Sequence, residues 1–152
     1  MSSTPSIRSV FASVLEEYAF MFAEPPAVGQ QLSPPDEFHL VTIQYVGSHA
    51  GTVSLAADLG FCRSLHENML GATDSEEERE AGAADAFKEL CNVVAGQWVT
   101  ERHGTQSHFE LSIPELRQGT RDDWDRMTSE LGASPLLVDQ EFTVVVALEE
   151  TK

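Results

Sequence analysis

The sequence predicts an α+β fold in which a single antiparallel sheet is covered by helices. Two observations carry this. Three stretches, residues 7–23, 58–71 and 75–103, repeat their apolar residues at the helical period. The stretches between and after them are β-rich and joined by short turns, which is how antiparallel strands connect. The 152 residues fit one domain, 1–152, with a polar tail at 1–6 and a connector at 24–36. With 41% apolar and 22% charged residues, the composition is that of a globular chain. A chain of this size buries about 70% of its unfolded surface.

The first helix is expected over 7–23. Val10, Val14, Tyr18 and Met21 or Phe22 mark its stripe, widened by Phe11, Leu15 and Phe20, and Pro25-Pro26 ends it. Four prolines in 24–36 make an extended connector. Residues 38–46 and 52–57 read as a hairpin around Gly47–Gly51. Asp58 is placed to cap a second helix, with Leu59, Cys62, Leu65 and Met69 inward and Gly71 as its stop. Ser75 and Glu78 have capping-box spacing at the head of the long helix, which closes near Gly104. Residues 107–113 read as a strand stopped by Pro114, and 122–131 as a short helix facing Trp124, Met127 and Leu131 inward. Residues 136–138 and 142–148 form a last antiparallel pair. The run 142–148 is almost wholly apolar, which places it centrally in the sheet.

The long helix is the informative element. At about 100° per residue, Asp85, Glu89, Asn92 and Gly96 fall within an arc of roughly 60°. Phe87, Leu90, Cys91, Val94 and Trp98 lie on the opposite side and form the buried stripe. An acid and an amide three residues apart are neighbours on a helix surface. Gly96, one turn beyond, costs the helix about 1 kcal/mol relative to alanine. That glycine lets a neighbouring helix pack closely, marks a weak point in the helix, or keeps the Asn92 surface clear for a partner.

Charge narrows the field. Twenty-five acids against nine bases leave a formal net charge of −16, which repels nucleic acid and anionic membrane. Only Lys88 and Lys152 are lysines. Phosphoryl transfer needs cations around the transferring group. The Glu89 face offers none from its own helix, so a phosphoryl reaction there would draw them from a partner. Cys62 and Cys91 are too few for a disulfide framework, and Cys91 lies on the core stripe. The first nine residues lack an apolar signal core, and no run approaches the roughly 20 residues of a membrane span, so a soluble, cytoplasmic chain is expected. His103 and His108, with Glu101 near, match no zinc spacing, and His39 and His49 are expected at the surface. Cys62 has only His66 within a turn as a base.

Glu89-x-x-Asn92-x-x-x-Gly96, preceded by Asp85, resembles the motif helix of the CheC/CheX/FliY family. These are phosphatases of bacterial chemotaxis that dephosphorylate CheY-type response regulators. The order of elements is similar too, from about residue 37 to 148: a hairpin, a helix ending in Met69-Leu-Gly71, an acidic turn, the motif helix and further strands. The resemblance implies a CheC/CheX-like fold of pseudo-repeated halves. The first half has Glu17-x-x-Phe20 where the motif would stand, and phenylalanine cannot position a water. A single motif per chain matches the CheX branch, whose members are homodimers.

The same resemblance implies a chemistry. The substrate would be the aspartyl phosphate of a CheY-like receiver domain, which brings its own Mg²⁺ and lysine. By match to the family motif, Asn92 orients the attacking water and Glu89 pairs with the receiver's lysine. Gly96 keeps the surface open, Val93 and Val99 form an apolar docking rim, and Asp85 shares the face as either a contact or a solvated carboxylate. No cofactor or metal of its own is expected. The alternative is a receiver-binding scaffold of the same fold without catalysis.

Overall fold

A computed structural model describes residues 6–71, 75–106 and 108–151. The chain runs α1 (Ile7–Ala19), β1 (Ala23–Glu24), β2 (Phe38–Val46), β3 (Ala50–Asp58), α2 (Leu59–Leu70), α3 (Glu76–His103), β4 (Glu110–Leu111), β5 (Glu115–Gln118), α4 (Arg121–Asp125), a π-helical turn (Arg126–Glu130), β6 (Leu136–Val138) and β7 (Phe142–Thr151). One antiparallel sheet takes the order β1-β6-β7-β3-β2-β4, with β5 also pairing to β2. The predicted α+β class, one sheet under helices, is what the chain adopts.

The sheet separates two cores. On one face α1, α2 and α3 bury Val41, Ile43 and Tyr45 of β2, Val53 and Leu55 of β3, and Val144 and Val146 of β7. On the other, Trp124 and Met127 cover Phe38, Leu40, Ala56, Val145 and Ala147. Successive residues of β7 therefore serve opposite cores, which is why 142–148 shows no polar alternation. It is central, between β6 and β3.

Both capped starts hold. Asp58 Oδ1 accepts from Phe61 N at 2.7 Å, and Ser75 Oγ accepts from Glu78 N at 3.3 Å. α2 closes at Gly71 and α3 at Gly104, both at positive φ.

Three expectations are corrected. α1 ends at Ala19, well before Pro25-Pro26. Phe20 adopts the left-handed conformation (φ 54°, ψ 36°) and donates its N–H to the last turn. Past that break the helical period no longer applies: Phe20 and Phe22 are exposed, whereas Met21 is buried. Tyr18, expected on the stripe, is exposed within the last turn of α1. The strand expected at 107–113 shrinks to β4, because Pro114 interrupts pairing without ending it and β5 resumes beyond. Ser107, its expected start, lies outside the described residues, as do most of the 1–6 tail and residues 72–74. The helix expected at 122–131 starts at Arg121 and widens after Asp125 into the π-helical turn, still presenting Trp124 and Met127 inward. Among the described residues, no long apolar strand lies at a sheet edge. β7 is interior, and β1, two residues long, bounds its side of the sheet.

Candidate functional site

α3 lies across β2 and β3, with α1 and α2 against its flanks. Its rotation is fixed from within. Phe87, Leu90, Cys91, Val94, Ala95 and Trp98 are all buried. Phe61 of α2 meets Phe87 edge-on at 6.2 Å. Near the far end, Trp98 Nε1 donates to Tyr45 Oη at 3.3 Å, and Tyr45 Oη donates to Glu150 Oε2 at 3.1 Å. This chain of bonds ties α3 to β2 and β7. Burial raises the Tyr45 pKa above its ordinary value, keeping the phenol protonated as the donor.

With that side pinned, the predicted stripe faces outward. Asp85 and Glu89 are exposed; Asn92 and Gly96 are half-buried. They border a groove of about 460 Å³ between α3 and the 111–114 segment. Asp85, Lys88, Glu89 and Asn92 form one wall, and Leu111, Ser112, Ile113 and Pro114 the other. A smaller depression of about 220 Å³ continues past Leu111 over Gly96, Val99, Thr100 and Phe109. Ion pairs elsewhere tie up surface arginines, as in Arg63–Glu80 and Arg117–Asp123. Among the described residues, the Asp85, Lys88, Glu89 and Asn92 side chains make no hydrogen bond or ion pair within the chain. Four polar groups on one wall are thus left to solvent within the chain.

Gly96 resolves one open alternative. A Cβ built there meets only Leu111 Cδ1, at 3.9 Å, an ordinary contact. No neighbouring helix needs the missing side chain. Gly82, earlier in α3, is the opposite case: a Cβ there falls 2.3 Å from the His66 ring of α2.

Val99 is 7% exposed and packs in the core beneath the smaller depression. Val93 is partly buried against the same core. Lys88 lines the groove, so the Glu89 face does possess a cation on its own helix. Angular counting set Lys88 outside the stripe. The opposing segment closes over that flank and brings it in. Ile113, 84% exposed, was invisible as a site residue because its neighbours across the groove are about twenty residues away in sequence. A bare Ile-Pro step after a short strand was its one sequence signal.

The remaining reactive groups lie elsewhere. Cys62 and Cys91 are buried free thiols, and burial raises both pKa values, that of Cys91 to about 12, which removes the thiolate a nucleophile needs. His49 is exposed as expected and stacks on His103 at 4.1 Å, while His39 is half-buried against expectation. Burial, then the charge of His49, lower the His103 pKa. Among the described residues, no three His, Cys, Asp or Glu side chains converge as a metal site, and no helix is long and apolar enough to cross a membrane.

The family model "Chemotaxis phosphatase CheX" matches residues 40–131, more than half of the chain. No curated protein matches by sequence. Solved structures match closely in fold. The CheX of a CheX-CheY-BeF3-Mg²⁺ complex from Borrelia burgdorferi superposes with TM-score 0.66 at 18% identity, covering 96% of each chain. CheX from Desulfovibrio desulfuricans gives 0.62 at 18% identity, over 94% of this chain and 96% of that one. FliY of Thermotoga maritima gives 0.52 at 13% identity, over 93% and 84%.

Proposed function

The chain belongs to the CheX family of chemotaxis phosphatases, and from that membership we propose that it hydrolyses the aspartyl phosphate of a CheY-like receiver docked on the α3 groove. The observation that carries this reading is the set of outward, unpaired polar groups on α3, with Glu89 and Asn92 at its centre.

In this reaction a water attacks phosphorus. The bond from phosphorus to the aspartyl oxygen breaks, the carboxylate leaves with its electron pair, and the water's protons remain with the released phosphate. Asn92 orients that water: its carbonyl accepts from the water while the amide NH₂ can donate nearby. A neutral amide does so without repelling the phosphoryl oxygens. Positioning of this kind contributes several kcal/mol. Glu89 takes the receiver's lysine as an ion pair, which sets the register that brings Asn92 in line. Lys88 offsets the Asp85 and Glu89 carboxylates, which would otherwise repel the phosphoryl group. The reading assigns Mg²⁺ to the receiver. The Borrelia complex contains Mg²⁺ and BeF3 together with CheY.

The test is phosphate loss from a purified phosphorylated receiver, timed with and without the protein. Acceleration that Asn92→Ala reduces about a hundredfold, with receiver binding kept, supports the assignment. Full activity in that variant sinks it. Binding without acceleration by the parent protein would make it a scaffold.

The same reading includes a homodimer, with α3 outside the interface and one receiver per chain. Tyr18, Phe20 and Phe22 are exposed beside the β1 edge, an apolar patch suited to a second copy. A particle of about 17 kDa in sedimentation at micromolar concentration would exclude it.

A further inference from the structure

The segment facing α3 is built to present one side chain. β4 pairs Leu111 with Tyr45, and β5 pairs Glu115 with Thr42. Between those pairs the outer strand spends three residues, 112–114, against two of β2, Ile43 and Gln44. That is a bulge, a device that bends a strand and re-aims its side chains. Ser112 holds its near side. Its N–H donates to Gln44 O at 2.8 Å, and its Oγ accepts from Gln44 N at 2.9 Å. Pro114 fixes the far side, with its φ locked and no N–H to pair. Ile113 stands between two tethered points and is 84% exposed.

Among the described residues, Ile113 belongs to neither hydrophobic core and lines the groove opposite Asp85, Glu89 and Asn92. The two walls differ in chemistry: two carboxylates, an amide and one lysine on the helix, leaving a net negative charge, against apolar Leu111, Ile113 and Pro114 on the bulge. Charge complementarity selects a cation for the first wall. Apolar matching selects a hydrophobic side chain for the second.

We propose that Ile113 is a specificity-determining docking residue, which packs on an apolar side chain of the receiver that flanks the lysine taken by Glu89. The inference rests on the functional reading above and names the second contact of the same groove. The helix wall would hold the reacting centre. The bulge wall would choose among receivers by what flanks that lysine. A second copy of this chain is the poorer occupant, since the functional reading places the self-association face at Tyr18, Phe20 and Phe22 and leaves α3 outside it.

The experiment measures steady-state dephosphorylation of a phosphorylated receiver, and binding of the same receiver loaded with beryllofluoride, for the parent, Ile113→Ala, Ile113→Asp and Val46→Ala. Val46 is 60% exposed and lies outside the groove. Exposure at both positions leaves folding untouched. Ile113→Ala is expected to raise KM and Kd about fivefold to tenfold through lost apolar burial, with kcat within twofold. Ile113→Asp raises them further, and Val46→Ala leaves both unchanged. The Ile113 effect persists at high salt, because apolar packing is not screened. An active parent whose KM is the same in all three variants overturns this inference and leaves the functional reading standing. A parent that binds the receiver without accelerating hydrolysis overturns the catalytic reading, and a weakened Kd in Ile113→Ala still supports the docking role. A change in sedimentation with Kd unmoved assigns Ile113 to self-association and overturns the proposal.

Discussion

α1 and α3 lie side by side on one face of the sheet, α1 against β7 and α3 against β2 and β3. Both carry a glutamate followed three residues later by the position where the family places its asparagine. In α3 the helix runs eleven residues beyond Asn92, to His103, and the amide stands on a rigid surface. In α1 the helix ends at Ala19, so Phe20 falls in the cap with left-handed backbone. The difference is not only amide against ring. A side chain can be aimed from a helix only while the helix continues past it.

Glycine use sharpens the contrast. A left-handed cap favours glycine, yet α1 has an exposed phenylalanine there. A helix interior disfavours glycine, yet α3 has Gly96 where a Cβ would meet only Leu111, at ordinary contact distance. Neither residue serves the stability of its own helix. Each sits on a surface we assign to a partner: the second copy at Phe20, the receiver at Gly96.

The largest expected effect probes what holds α3 in rotation. Phe87→Ala and Trp98→Ala should each cost roughly 3–5 kcal/mol in denaturant unfolding, since both rings are buried. A variant that melts like the parent would mean α3 is held some other way. Next comes the pair of glutamates. Glu89→Ala should raise KM for the phosphorylated receiver about tenfold at low salt, an effect that shrinks as salt screens the ion pair. Glu17→Ala, on the truncated helix, should leave KM within twofold. Equal effects would erase the distinction between the helices. The smallest effects are the glycine swaps. Gly96→Ala should stabilise the fold by about 0.5–1 kcal/mol while weakening receiver binding. Phe20→Gly should stabilise by up to about 1 kcal/mol while weakening self-association. Stability gained with both affinities intact would show that these residues face no partner.

The sequence by itself determined the long helix and its two faces, because twenty-eight residues at one period leave little choice of rotation once Phe87, Leu90, Val94 and Trp98 must be buried. It also determined the Asp58 and Ser75 caps, the first hairpin and the central place of β7, each set by local chemistry or by a continuous apolar run. It did not determine where α1 stops. That break depends on Phe20 entering the left-handed region and Met21 turning back into the core, a tertiary gain no local signal announces. Nor did it determine the second wall of the groove. Lys88 and Ile113 meet there because β4 and β5 both pair to β2 with one residue to spare, and register is a property of the assembled sheet. Periodicity reveals which way a helix faces. What stands opposite it is decided only when distant strands are brought together.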